Sequence, residues 1–347
     1  MSYNRNSKRK TITLSDVAKD AGVSITTVSH VVNNSAKISA DTCKRVTESI
    51  ERLGYSPLPG SEFRNGNRMI AVFIPDLGNE FYAKSVQAIF NCAWQHKYGI
   101  VVCDMQHLIQ AESGYLRNLL LQGVCGVIFF GETSNIEAQI LRTADKVPVV
   151  LGDMHIPRGL HGKVDAVCTD NEKVVTDAVT RFARAGYSEF GYVSEDFLLA
   201  NTRDRYKGFV TGLQKNGLKL YDEWLFISEN LRLNKIKSSY EYFSNILKTK
   251  PVLPQILFCT SDLIAIGICS ALKDSGIDVP KEVGVVGFDD ISLAAYVNPP
   301  LTTIAQNMEK IGESCMELLL DRIENQRHEA SEITVQAKLE IRKTVKM

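Results

Sequence analysis

The chain has 347 residues, longer than one small domain and suited to two or three. Its hydrophobic content is 44%, its charged content 23%, and its 40 basic and 40 acidic residues cancel. That balance argues against a disordered chain and against a global field toward nucleic acid or membrane, and no run approaches the roughly 18 apolar residues of a membrane span.

Charge is nonetheless uneven. Arg5, Lys8, Arg9 and Lys10 crowd the start, and Lys37, Lys44, Arg45 and Arg52 follow, so the first segment is locally basic. It carries no apolar stretch of signal-peptide type, so a cytoplasmic protein is expected. The eight cysteines are scattered, none at CxxC spacing, and most lie in apolar runs, as reduced thiols do.

The first predicted elements are three helices. Thr13 is a capping residue with Asp16 at the capping-box position, and Leu14, Val17, Ala18 and Ala21 form one apolar stripe. Gly22 is placed to end that helix in the left-handed conformation. Ser24 caps a second helix whose inward face is Val28, Val31 and Val32. Ser39 caps a third with Cys43, Val46, Ile50 and Leu53 inward, closed by Gly54 and Pro57. Two short helices around a glycine turn are a helix-turn-helix, whose second helix lies in the DNA major groove. Small hydroxyls, a methyl-bearing isoleucine and His30 suit base edges there, and the basic residues suit phosphates. A plain three-helix bundle with a solvated face is the alternative.

The stretch SPLPGSEFRNGNR, Ser56 to Arg68, reads as a linker. From Met69 short apolar runs such as MIAVFIPD, GVIFFG, VPVVLGD, EFGYVSE, QILFCTSD and VGVVGFDD alternate with amphipathic helical segments. Continuous apolar strands alternating with helices predict parallel sheets covered on both faces, and their number predicts two α/β subdomains. Ligands in such sheets bind outside the carboxyl ends of the strands.

The phrases LSDVAKDAGVSITTVSHVVN and KISADTCKRVTESIERLGYSP, followed by IPDLGNEFY, FCTSDLIAIG, VPKEVGVVGFDD and NPPLTTIAQ, resemble the LacI/GalR family of bacterial transcription regulators over nearly the whole chain. Within it the wording is most similar to the cytidine repressor branch. The resemblance implies an all-α helix-turn-helix headpiece over residues 12–57, a hinge over 58–68, and a periplasmic-binding-protein-like α/β core over 69–347. The core would comprise two doubly wound parallel-sheet subdomains, approximately 69–168 with 304–327, and 169–303 with 328–347. It implies a dimer on a near-palindromic double-stranded operator, with helices 83–96 and 263–273 packed across the dimer axis. It also implies a small-molecule effector between the subdomains, a nucleoside first, with a sugar or purine base behind it. No cofactor or metal is implied.

The DNA-contacting set carried over is Thr13, Ser24, Ile25, Thr26, Thr27, Ser29, His30, Asn33 and Lys37, with Phe63 as the apolar candidate for a minor-groove wedge. The effector set is Asp76, Phe81, Asn201, Arg205, Asp262 and Asp289. Arg205 offers a planar donor fork, with an internal ion pair as its alternative. Asp289 follows a strand, where a carboxylate can accept two hydroxyls. Phe81 can stack on a sugar face or base. Asp262 stands equally as helix cap or ligand, Asp290 reads as a cap or loop residue, and Tyr82 as core.

The linker departs from the family. Pro59, Gly60 and Gly66 oppose a hinge helix, glycine costing about 1 kcal/mol against alanine. Loosely tethered headpieces are expected, leaning on a second DNA-bound protein as the cytidine repressor branch leans on the cyclic-AMP receptor protein. The ending LEIRKTVKM lacks a leucine-heptad tail, so a dimer is expected. A solute-binding protein would need a signal peptide and no helix-turn-helix. An enzyme is not expected: no P-loop, GxGxxG, GxSxG or HExxH is present, and the six histidines are dispersed.

Overall fold

The computed structural model describes residues 13–32, 38–53, 68–105, 114–131, 136–197 and 200–347. The chain divides into an amino-terminal unit, Met1–Arg68, and a core unit, Met69–Met347.

In the first unit α1 spans Leu14–Ala21, α2 Ile25–Val32 and α3 Ala40–Leu53. Thr13 and Asp16 form a reciprocal capping box: the Asp16 amide donates to Thr13 Oγ1 and the Thr13 amide to Asp16 Oδ2 at 2.8 Å. Gly22, at φ 65°, ends α1 in the left-handed region, where a side chain would be strained. The Ser24 hydroxyl accepts from the Thr27 amide at 3.0 Å, and Ser39 Oγ from the Thr42 amide at 3.3 Å. Val17, Ala18, Ala21, Val28 and Val46 make the small core, with Leu14, Val23, Val31, Ile50 and Leu53 packed on it. Cys43 is only half-buried.

The core unit holds two six-stranded sheets. The first is built from β1 Met69–Ile74, β2 Gly99–Asp104, β3 Val124–Phe130, β4 Val149–Gly152, β5 Asp165–Thr169 and β11 Glu332–Val335, in the order β11-β5-β4-β3-β1-β2. The second holds β6 Phe190–Ser194, β7 Leu225–Ile227, β8 Ile256–Cys259, β9 Gly284–Asp289, β10 Thr302–Ala305 and β12 Lys338–Glu340, in the order β12-β10-β9-β8-β6-β7. Every pairing is parallel except β10 with β12. Both sheets thus carry the 2-1-3-4-5 winding, whose order reverses beside the first strand. The helices are α4 Glu80–Gln95, α5 Gly114–Leu121, α6 Glu137–Ala144, α7 Asn171–Arg184, α8 Ala200–Lys215, α9 Lys235–Leu247, α10 Asp262–Asp274 and α11 Met308–Glu324.

The chain crosses between sheets after β5, between β10 and α11, and between β11 and β12. This differs from the expected division at β11, which belongs to the first sheet, while β10 straddles the approximate boundary expected near residue 303 and belongs to the second. The reason for β11 is electrostatic. Asp165, fully buried at the start of β5, accepts Arg322 Nε at 2.7 Å, Arg327 Nη2 at 2.7 Å and the Ser331 amide at 2.7 Å. The chain leaving α11 is therefore held to β5, and β11 adds beside it before β12 returns to the second sheet.

Candidate effector cleft and nucleic-acid interface

The cleft forms where both sheets present strand ends. Asn79, Phe81 and Tyr82 follow β1, and Asp153 follows β4. Glu195 follows β6, Ser261 follows β8, and Asp289 ends β9. Asn201, Thr202 and Arg205 come from α8 and Lys235 from α9; together these residues line one cavity. Its volume is only about 20 Å³, room for roughly one water. A drug-sized ligand needs hundreds of Å³, so one enters only when the two subdomains part.

The lining is polar and buried. Arg205, 5% exposed, donates from Nε to Asn171 Oδ1 at 2.9 Å and from Nη1 to the Thr260 carbonyl at 2.6 Å. Its Nη2 lies 3.9 Å from Asp289 Oδ1, and its guanidinium carbon is 3.6 Å from the centroid of the Phe288 ring. The internal pairing expected as the alternative for this arginine is thus present in the contracted cleft. Asp289 also accepts from Gln306 Nε2 at 2.8 Å, and Gln306 Oε1 accepts from Thr169 Oγ1 at 2.7 Å, which links the carboxylate to two crossovers. Burial pushes the Asp289 carboxyl above its ordinary range despite Arg205 and the Gln306 hydrogen bond.

Asp153 accepts from Asn201 Nδ2 at 3.0 Å, joining the first subdomain to the second. Its other oxygen and Asn201 Oδ1 are buried with no hydrogen-bond partner. Burial raises its carboxyl to about 6, with Arg205 opposing and the Asp289 charge adding. Glu195 differs: burial would raise it, but Lys235 Nζ at 2.7 Å and Thr260 Oγ1 at 2.5 Å hold it below the usual range. Phe81 and Tyr82 meet edge to face, ring centroids 5.1 Å apart.

Of the six sequence-predicted effector residues the structure brings Phe81, Asn201, Arg205 and Asp289 together. Two lie outside the lining. Asp76 Oδ1 accepts from the Gly78 amide at 2.8 Å, shaping its own turn. Asp262 is fully buried, with Oδ1 accepting from Thr303 Oγ1 at 2.5 Å and Oδ2 from the Ile291 amide at 2.8 Å. It is not the helix cap either, since Ser261 caps α10. Asp290 pairs with Arg342 at 2.6 Å, and Tyr82 is both core and cleft wall. Sequence reasoning missed Asp153 and Glu195, although VPVVLGD and EFGYVSE end a strand on an acid as VGVVGFD does. Lys235 left no such signal.

In the amino-terminal unit Thr13, Ser24, Ile25 and Thr26 are exposed, Ile25 at 52%, and Thr27, Ser29 and His30 are half-buried. Asn33, Lys37 and Phe63 lie outside the described residues. Arg45, expected at phosphates, donates to the Ala21 carbonyl at 2.8 Å, placing its charge at the carboxyl end of α1. Arg52 pairs with Asp20 at 2.6 Å.

Comparison with known proteins agrees with this arrangement. Residues 13–57 match the bacterial regulatory proteins of the lacI family, and residues 179–345 the periplasmic binding protein-like domain. The HTH-type transcriptional repressor PurR of Pasteurella multocida (strain Pm70) is 28% identical over 338 residues, 96% of this chain and 98% of the relative. A LacI-family transcriptional regulator from Silicibacter pomeroyi superposes with TM-score 0.77 at 26% identity, covering 96% of this chain and 99% of that one. The transcriptional regulator CelR–cellobiose complex gives TM-score 0.69 at 26% identity, again over 96% and 99%. With its capped helix-turn-helix matching the lacI-family model and its two-sheet core carrying a polar cleft at the strand ends, this chain is similar over nearly its full length to LacI-family transcriptional regulators.

Proposed function

We propose that this protein is a dimeric, non-enzymatic repressor that binds a near-palindromic operator through α2 and is controlled by a nucleoside in the core cleft. The observation that carries the effector reading is the pairing of Asp153 and Asn201 across the cleft, each with a buried oxygen lacking a partner. Such acceptors suit the vicinal hydroxyls of a ribose, while Asp289 and Arg205 offer a second acceptor and a donor fork and the Phe81–Tyr82 pair a surface for a base. Opening and closing of the subdomains couples this site to operator affinity, because an effector that prefers one closure state shifts the other site's equilibrium reciprocally. A sugar effector is the second reading, favoured by the likeness to the CelR–cellobiose complex.

A thermal-shift screen of cytidine, other nucleosides, purine bases and hexoses tests it. A true effector raises the melting temperature of wild-type protein by mass action, and the rise is lost in Asp289→Ala. A shift produced by a hexose and by no nucleoside rejects the nucleoside reading while leaving the repressor reading standing.

A further inference from the structure

The last turn of the first sheet carries a cluster that the cleft does not use. Cys168 on β5 is buried, next to Val167 and Thr169 in the chain. Its register partner on β11 is Thr334, and Glu332 pairs with Ala166, so Cys168 and Glu332 project from the same face, two residues apart along the ladder. His155, from the segment after β4, closes over them. Cys168 Sγ lies 3.4 Å from His155 Nδ1 and 3.9 Å from Glu332 Oε1, and His155 Nδ1 lies 2.7 Å from Glu332 Oε1. All three donor atoms fall within 4.8 Å of one another.

We propose that His155, Cys168 and Glu332 form a binding site for a borderline-soft divalent transition metal, zinc by its ligand set. A tetrahedral zinc with Zn–S near 2.3 Å and Zn–N and Zn–O near 2.0–2.1 Å separates its ligand atoms by about 3.3–3.6 Å. The two separations to sulfur lie within a few tenths of an ångström of that range, and the nitrogen–oxygen contact must open by about 0.6 Å, a side-chain rotation for two half-exposed groups. A thiolate, an imidazole and one carboxylate select against magnesium and calcium, which take oxygen ligands. Metal binding displaces the Cys168 thiol proton and any proton on His155 Nδ1 to solvent, and leaves the fourth position to water on the exposed side.

The carboxylate of the set is held from outside. The Ile156 amide donates to Glu332 Oε2 at 3.0 Å and holds that carboxylate, and the Ile156 carbonyl lies 3.1 Å from His161 Nε2. The site is distinct from the effector cleft, none of its three residues lining that cavity. It is connected to it, however. Asp153, which meets Asn201 across the cleft, stands two residues before His155 on the same short segment. A metal tying that segment to β5 and β11 would hold Asp153 in its closed-cleft position and so favour closure.

Titration of the full-length reduced protein with Co2+ tests the site. One equivalent should bind, with sulfur-to-cobalt charge-transfer absorption and tetrahedral visible bands, and Zn2+ should abolish both. Cys168→Ser should remove the charge-transfer band. Glu332→Gln, at a half-exposed sheet-edge position, should keep the fold and weaken binding at least tenfold. Zn2+ should raise the melting temperature of the wild type more than that of Glu332→Gln at the same concentration. Absence of the charge-transfer band in wild type with excess Co2+ would overturn the proposal. So would a band that persists unchanged in both variants, which places the metal on another thiol. No effector or operator enters the assay, so its outcome is separable from the repressor reading.

Discussion

At the residue scale the buried carboxylate Asp153 carries a constraint that can be measured. Its ordinary value near 3.8 is raised to about 6 by burial, so the folded core holds a proton that the unfolded chain has released. Below about pH 4 both states are protonated and nothing is lost. As pH rises through the interval up to about 6 the folded state is progressively penalised, by on the order of 2–3 kcal/mol in total. Urea unfolding of wild type should therefore show stability falling across that interval relative to Asp153→Asn, which has nothing to titrate there. Parallel pH profiles for the two proteins would reject the raised carboxyl. On the headpiece, Thr26→Ala and His30→Ala each remove a polar side chain from α2 without emptying its core, which rests on Val28. Each should weaken specific operator binding by about 1–3 kcal/mol, roughly five- to 150-fold, with non-specific binding little changed in gel-shift titration.

At the element scale, close backbone approach governs how helices cover the second sheet. Gly208 on α8 faces α7 so closely that a Cβ there would sit 2.4 Å from the Glu172 carbonyl oxygen. The contact is sealed by the Thr176 hydroxyl donating to the Gly208 carbonyl at 3.0 Å. Gly208→Ala should push the two helices apart and cost about 1–3 kcal/mol in chemical denaturation. Because α8 also carries Asn201 and Arg205, the same variant should blunt any effector-induced thermal shift. Within NTRDRYKGF, Asn201 and Arg205 at the start of α8 line the cleft, while the close approach at its glycine is visible only in the packed structure. The cap reading of Asp262 gives way for an element-level reason. Ser261 takes the capping position one residue earlier, which leaves the aspartate to hold the Ile291 amide and Thr303.

For the whole molecule, α4 leaves large apolar side chains uncovered. Phe90 is 47% and Trp94 74% exposed, four residues apart on one helical face. That helix is one of the two expected to pack across a dimer axis. The double variant Phe90→Ala, Trp94→Ala should weaken the dimer by about 2 kcal/mol or more, seen as monomer in dilute light-scattering measurements. An unchanged mass would place the interface elsewhere. The linker, residues 58–68, lies outside the described residues save Arg68, so its behaviour is argued from Pro59, Gly60 and Gly66. Loosely tethered headpieces should bind operators of stepped half-site spacing with similar affinity, and binding should strengthen beside a DNA-bound cyclic-AMP receptor protein. A single sharp spacing optimum would refute the loose tether.

What the amino-acid sequence alone determined is the local chemistry. The capping box at Thr13 and Asp16, the left-handed Gly22, the apolar stripe of the headpiece and the alternation of strands and helices depend on neighbours a few residues apart, and short-range sterics and hydrogen bonds specify them. Asp289 came from the resemblance with its strand-end position in support, and the same strand-end signal at Asp153 and Glu195 went unread although the carboxyl ends of parallel strands face the cleft. Long-range pairing was not legible. Arg322 and Arg327 reach Asp165 across more than 150 residues of chain, and that buried charge, which no local pattern announces, draws β11 into the first sheet. The same holds for the meeting of Asp153 with Asn201 and of His155 with Cys168 and Glu332, since only the packed structure brings distant side chains within a hydrogen bond of one another.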